Sequence, residues 1–237
     1  MDSRQHAYLR AMGISVWQPR QPMAEAATGA SESHRALASE HAAMASDVSA
    51  LDWSALEASV QACQRCDLHR TRTQTVFGVG DRQAALMIIG EAPGVDEDRQ
   101  GEPFVGRAGQ LLNAMLQAIG LQRAQVYIAN ILKCHPPGNR DPSAAEAASC
   151  QDYLFRQIEL VQPQLILVLG RIAAHTLLQT DAPLGTLRGQ LHDPARSGVP
   201  MLVTYHPAYL LRTPKEKRKA WLDLLRVKHL LQAEAGA

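Results

Sequence analysis

Ala84-Ala85-Leu86-Met87-Ile88-Ile89-Gly90-Glu91-Ala92-Pro93-Gly94 is the stretch on which the fold turns. Its apolar part is strand-length and unbroken by any polar residue. Such a strand belongs inside a sheet that is covered on both faces. The run then stops at a glycine and opens into a loop carrying one carboxylate, Glu91. Outward from it, Leu111, Leu112, Met115, Leu116 and Ile119 keep helical spacing, and Gly120 suits the helix end. Val126–Leu132 reads as a second strand. Ser143-Ala144-Ala145-Glu146 is a capping box after Pro142, from which Ala147, Cys150, Leu154, Ile158 and Val161 share one helical face. Leu165–Gly170 is a third strand, with a short helix through Leu178. Met201–Thr204 is a fourth and runs into Tyr205-His206-Pro207. Thr213-Pro214-Lys215-Glu216 predicts a capped terminal helix with Trp221, Leu224, Leu225 and Leu231 buried.

Strands alternating with helices imply an α/β fold: a three-layer α/β/α arrangement around a four-stranded, mostly parallel sheet. Ligands of such sheets sit at the carboxyl ends of the strands. Glu91, Asn130 and His206 all fall there. Three segments are expected along the chain. Residues 1–17 hold Tyr8, Leu9, Met12, Ile14 and Trp17. Residues 18–50, rich in Ala, Ser, Glu, Gln and Pro, read as a flexible linker. Residues 51–237 read as one compact, monomeric domain.

No apolar run is long enough to span a bilayer, and the first residues lack the apolar core of a secretory signal. A cytoplasmic protein with no membrane partner is expected. Net charge is only +1, but seven Lys or Arg between Arg212 and Lys228 face just Glu216 and Asp223. That basic stretch suits either a phosphate-contacting face or an ordinary solvated helix.

The four cysteines are Cys63 and Cys66, in a C-x-x-C, then Cys134 and Cys150. Disulfides are disfavoured in a cytosolic chain. Cys134 lies in Lys133-Cys134-His135-Pro136-Pro137-Gly138, a poor setting for a packed core thiol. Four thiolates suit zinc or an iron–sulfur cluster, and the nearby His69 and His135 keep zinc open.

Gly90-Glu91-Ala92-Pro93-Gly94, followed by Gly101-Glu102-Pro103-Phe104-Val105-Gly106-Arg107-Ala108-Gly109, resembles the first motif of the family 4 (iron–sulfur, thermostable-type) bacterial uracil-DNA glycosylases. His206-Pro207-Ala208-Tyr209-Leu210-Leu211-Arg212 resembles their second. Asn130-Ile131-Leu132-Lys133-Cys134 and the cysteine positions match as well, and the likeness covers residues 60–231. It implies a uracil-DNA glycosylase-like fold, hydrolysis of the N-glycosidic bond of uracil in DNA, and a structural 4Fe-4S cluster on Cys63, Cys66, Cys134 and Cys150.

The chemistry assigns matching roles. A base flipped out of the stack needs an aromatic platform, Phe104, and an amide to read its edge, Asn130. It needs a donor toward the departing ring oxygen, His206, and an anion near the sugar and water, Glu91. The backbone of Gly90 and Ala92 lines the pocket. Ala92 stands where the best-known uracil glycosylases carry a water-activating aspartate, and Glu97 is the candidate to exclude thymine's methyl. Ala92, with no insertion after Cys134, also sets the chain apart from the superfamily branch that traps uracil covalently. Leu210, by its spacing from His206, is the candidate wedge that fills the gap left by the flipped base, with Leu211 beside it.

Ser3-Arg4, Leu9, Gly13-Ile14 and Trp17 resemble the N-terminal peptide of the DNA polymerase III psi subunit, which implies docking on the clamp loader. The alternative function is therefore a replisome-associated protein that keeps a glycosylase fold with little or no activity.

Overall fold

A computed structural model describes residues 48–194 and 196–234. The expectations for the docking peptide (1–17) and for nearly all of the linker (18–50) lie outside the described residues. One boundary moves: Val48 is buried in the core, so the compact region begins before Leu51.

The sheet has six strands: β1 (Val79–Gly80), β2 (Leu86–Gly90), β3 (Tyr127–Asn130), β4 (Leu165–Leu169), β5 (Leu191–His192) and β6 (Met201–Thr204). Their order is β1-β3-β2-β4-β6-β5. The four central strands are mutually parallel, as expected. Two-residue antiparallel strands, too short to stand out in the sequence, flank them. Among the described residues these α-helices accompany the sheet: α1 (Trp53–Gln61), α2 (Val95–Gln100), α3 (Arg107–Ala118), α4 (Ala144–Val161), α5 (Arg171–Leu178), α6 (Leu184–Leu187), α7 (Pro207–Arg212) and α8 (Lys217–Glu234).

The pleat divides each apolar run between two cores. Met87, Ile89, Ile166, Val168 and Val203 face Leu56 and Val60 of α1, Leu154 and Ile158 of α4, and Leu177 of α5. Leu86, Ile88, Leu165, Leu167 and Leu202 face Leu112 and Leu116 of α3, Leu210 of α7, and Leu224 and Val227 of α8. Both faces are covered, which is why these strands carry no alternating polar residue.

The Ser143 capping box forms as expected: the hydroxyl accepts from Glu146 N at 3.2 Å and the carboxylate accepts from Ser143 N at 2.8 Å. The start of the terminal helix does not. Pro214–Glu216 is a 3₁₀ turn, the Thr213 side chain makes no cap, and Glu216 pairs with Lys219 at 2.7 Å. The buried face of α8 is also rotated from the expected one. Ala220, Asp223, Leu224 and Val227 point inward, Leu231 is half-buried against the same core, and Trp221 and Leu225 are each 40% exposed. Asp223 explains the rotation, because its carboxylate accepts from Thr204 Oγ1 at 2.7 Å and from Arg188 Nη2 at 2.6 Å. A buried charge with those partners fixes the helix more firmly than one extra apolar contact.

Leu210 is corrected as well. A wedge must project from the surface, but α7 turns Leu210 into the core at 1% exposure, leaving Leu211 half-buried. A helix starting at Pro207 points the third residue on into the core. No described helix is long and apolar enough to cross a membrane.

Candidate active site and thiol pocket

At the carboxyl ends of β2, β3 and β6 opens a cleft of about 740 Å³, lined by Glu91, Ala92, Phe104, Asn130 and His206 among others. The pairing register makes Gly90 and Asn130 neighbours on β2 and β3. A Cβ at position 90 would stand 2.4 Å from Asn130 Oδ1 and 2.6 Å from Phe104 Cζ, so only glycine lets the amide and the ring meet. Gly170, at φ +90°, performs the same service on the far wall, where a Cβ would come within 2.9 Å of His206 Cβ.

Asn130 is 2% exposed, and its Oδ1 has no hydrogen-bond partner among the described residues. A buried unpaired acceptor costs about 1–3 kcal/mol. Native sites keep such an atom where a ligand satisfies it.

His206 caps α7: its Nδ1 accepts from Ala208 N at 3.1 Å. That bond leaves the ring proton on Nε2. Burial first, then Arg212, lowers its pKa to about 4, with Glu97 opposing. The ring is therefore a neutral donor at physiological pH.

Phe104 lies 5.6 Å from the His206 ring at a 32° tilt. Its backbone is left-handed, φ 56°, which for a bulky residue costs about 1–3 kcal/mol.

Glu91 carries a carboxyl pushed up to about 7, by burial first and the Asp141 charge second, with Arg171 opposing. Arg171 and Asp141 pair at 3.0 Å on the cleft wall. Glu97 also lines the cleft, but its carboxylate is committed to backbone. It accepts from Gly94 N at 3.0 Å, Val105 N at 3.0 Å and Gly106 N at 3.1 Å, tying the Glu91 loop to the Phe104 loop. Of the expected lining residues, Gly90 lies behind the lining formed by its neighbours Glu91 and Ala92, and the candidate wedge Leu210 is turned into the core.

The four cysteines line a second, much tighter pocket of about 10 Å³ with Arg72, Lys133 and Tyr153. Burial raises the thiol of Cys66, that of Cys134, and that of Cys150 to about 12. Two N–H groups reach the sulfurs: Arg72 Nη1 to Cys134 Sγ at 3.1 Å and Lys133 N to Cys150 Sγ at 3.3 Å. This is a soft donor set with hydrogen bonds placed to support thiolate charge, and it fits a thiolate-bound metal centre. Among the described residues, no three His, Cys, Asp or Glu side chains are grouped to hold a metal ion.

Two residues without an expected role stand out. Lys133 is 1% exposed, and its ammonium bonds Asn130 O at 2.9 Å and Gln157 Oε1 at 2.6 Å. Its side chain thus reaches the main chain of Asn130 while its own N–H serves Cys150. The only sequence signal was its place between those two motifs. Arg123 grips the Phe104 loop and carried no signal at all. In the basic stretch, Lys219 is paired with Glu216 and Arg226 bonds Gly189 O at 2.6 Å, while Lys215, Lys217, Arg218 and Lys228 are exposed.

The family model for the uracil DNA glycosylase superfamily matches residues 77–225. The type-4 uracil-DNA glycosylase of Archaeoglobus fulgidus is 44% identical over 177 residues, covering 72% of this chain and 89% of that protein. Those of Pyrobaculum aerophilum and Saccharolobus solfataricus are 39% and 41% identical, covering 73% and 74% of this chain and 92% and 84% of theirs. With matches of that extent on both sides, the chain belongs to the type-4 uracil-DNA glycosylases of that superfamily.

Proposed function

We propose that this protein excises uracil from DNA by hydrolysing the N-glycosidic bond of a base flipped into the cleft. The observation that carries the reading is the unpaired, buried Asn130 Oδ1 in the same cleft as the neutral His206 ring. Uracil offers N3–H and O4 side by side, so the amide accepts from the first and donates to the second. Cytosine presents the opposite pattern at those atoms and leaves the amide mismatched. Phe104 supplies the face on which the base stacks.

As the bond from C1′ to N1 breaks, its electron pair moves onto the base and negative charge grows on O2. His206 Nε2–H donates to that oxygen without having to carry a charge itself. Positive charge grows at the sugar, where the Glu91 carboxylate stabilises it and orients the water that adds its hydroxide to C1′, the water's proton passing to that carboxylate and then to the departed uracil anion. Ala92 brings no carboxylate, so Glu91 is the acid group at the loop. Glu97 acts through the backbone it holds, and its place on the cleft wall suits exclusion of a 5-methyl group.

Cys63, Cys66, Cys134 and Cys150 are the residues that would hold a 4Fe-4S cluster. Bound there, it would cross-link the segment before β1, the end of β3 and α4. A cytoplasmic setting, where thiols stay reduced, suits both pockets. Exposed Lys215, Lys217 and Arg218 follow α7 and suit DNA phosphates. Docking of residues 1–17 on the clamp loader rests on the sequence alone, and loss of that binding on deleting them is its test.

Purified protein incubated with a uracil-containing oligonucleotide should yield abasic sites, and a thymine-containing control should not. No abasic sites would end the proposal. About four irons per chain are expected, whereas stoichiometric zinc without iron would end the cluster assignment.

A further inference from the structure

We infer that Arg123, which belongs to none of the motifs, is a positioning residue for the base platform: its guanidinium holds the carbonyls of Pro103 and Phe104 and so keeps Phe104 in the cleft. The inference rests on the proposed reading of the cleft as the base site.

Phe104 sits at φ 56°, a conformation that a phenylalanine keeps only where its surroundings impose it. The loop around it is gripped from two sides by opposite charges. Arg123 Nη2 donates to Pro103 O at 2.5 Å and to Glu102 Oε1 at 3.2 Å. Its Nη1 reaches Phe104 O at 3.4 Å and Asn113 Oδ1 at 3.5 Å. On the other side, Glu97 Oε1 accepts from the next two backbone N–H groups, Val105 and Gly106. The carbonyls on one flank of Phe104 are thus held by a cation and the amides on the other by an anion.

The packing below leaves no slack. A Cβ at Gly109 would fall 1.7 Å from Phe104 O, so the first turn of α3 lies directly against that carbonyl. The ring in turn lies against Gly90 and close to His206. A small shift of the loop therefore changes the width of the slot between them. The fork geometry is specific to arginine, because a single ammonium cannot reach both carbonyls and the Glu102 carboxylate at once. The side chain is 23% exposed, so the position is reachable from solvent.

The test compares wild type, Arg123→Ala, Arg123→Lys, Phe104→Ala and the Arg123→Ala/Phe104→Ala pair on one uracil-containing oligonucleotide. Arg123→Ala should lose roughly 10–100-fold in kcat/KM, the scale of a platform misplaced by about 1 Å. The double variant should be no slower than Phe104→Ala alone, because the arginine has nothing left to position. Added guanidinium should restore part of the Arg123→Ala rate, and added methylammonium should not. Arg123→Lys, which keeps the charge, should stay impaired, and it serves as the decisive variant if Arg123→Ala does not fold. Wild-type kcat/KM in either single variant, or losses that multiply in the double variant, would overturn the inference. Failure of wild type to excise uracil, or a normal rate in Phe104→Ala, would instead bring down the reading of the cleft.

Discussion

The cleft and the thiol pocket meet at Lys133, whose side chain holds Asn130 O and whose N–H holds Cys150 Sγ. Physically they are opposites. The cleft is about 740 Å³ and leaves a buried amide oxygen unpaired. The space among the cysteines is about 10 Å³, and two of its sulfurs already accept N–H groups. A site that exchanges ligands keeps an unmet hydrogen bond and room to enter, whereas a site that holds the fold together closes around its contents. Changes in the cleft should therefore cost rate with the fold intact, and changes among the cysteines should cost the fold.

The largest effect belongs to the cleft. His206→Ala should lower excision by roughly 10²–10³ while the circular dichroism spectrum stays native, since single preorganised donors carry about that much. Near-normal excision would place the chemistry elsewhere. On the other side of the comparison, if the cysteines hold the proposed 4Fe-4S cluster, Cys150→Ser should remove its visible absorption. It should also lower the thermal midpoint by about 10 °C, which at roughly 2–4 °C per kcal/mol for a chain this size is several kcal/mol. A variant that loses iron yet melts like wild type would make the cysteines dispensable to the fold.

A third, smaller effect is acid–base. Burial and Asp141 push the Glu91 carboxyl up to about 7 while burial takes His206 down to about 4, so kcat/KM should rise with pH through about 7 as Glu91 ionises. Asp141→Asn removes a like charge and should move that rise to lower pH. Glu91→Gln should flatten it. The same group has a sign for stability. Between its ordinary value of 4.5 and about 7, the folded chain holds more protons at Glu91 than the unfolded one, so this contribution to stability falls as pH rises through that window. The smallest effect lies outside both pockets. Neutralising Lys215, Lys217 and Lys219 should flatten the dependence of log K on log salt by up to about 2–3 if they meet phosphates. Lys219 should contribute least because Glu216 already occupies it.

What the sequence could reveal follows the same division. The four central strands were legible because each is a short run of mostly apolar residues buried on both faces, with a polar residue only at the end of β3 and of β6. Glu91, Asn130 and His206 were legible because they fall at the strand ends, and Phe104 because it lies in the stretch that resembles the family's first motif; all four line the cleft. The orientation of α8 was not, because Asp223 is drawn inward by Arg188 and Thr204, partners 35 and 19 residues away. Leu210 was misplaced because a six-residue helix that starts at a proline is too short for periodicity to show which of its residues face inward. Lys133 and Arg123 act on backbone carbonyls, and a carbonyl leaves no trace in the identity of the residue that owns it.

The most direct test of the division is Asn130→Ala assayed twice on one preparation, for uracil excision and for iron per chain. Excision should fall by roughly 10²–10³, with iron content and the thermal midpoint close to wild type. Near-normal excision, or loss of iron together with activity, would contradict it, the first by removing the amide from base reading and the second by merging the two pockets into one structural unit.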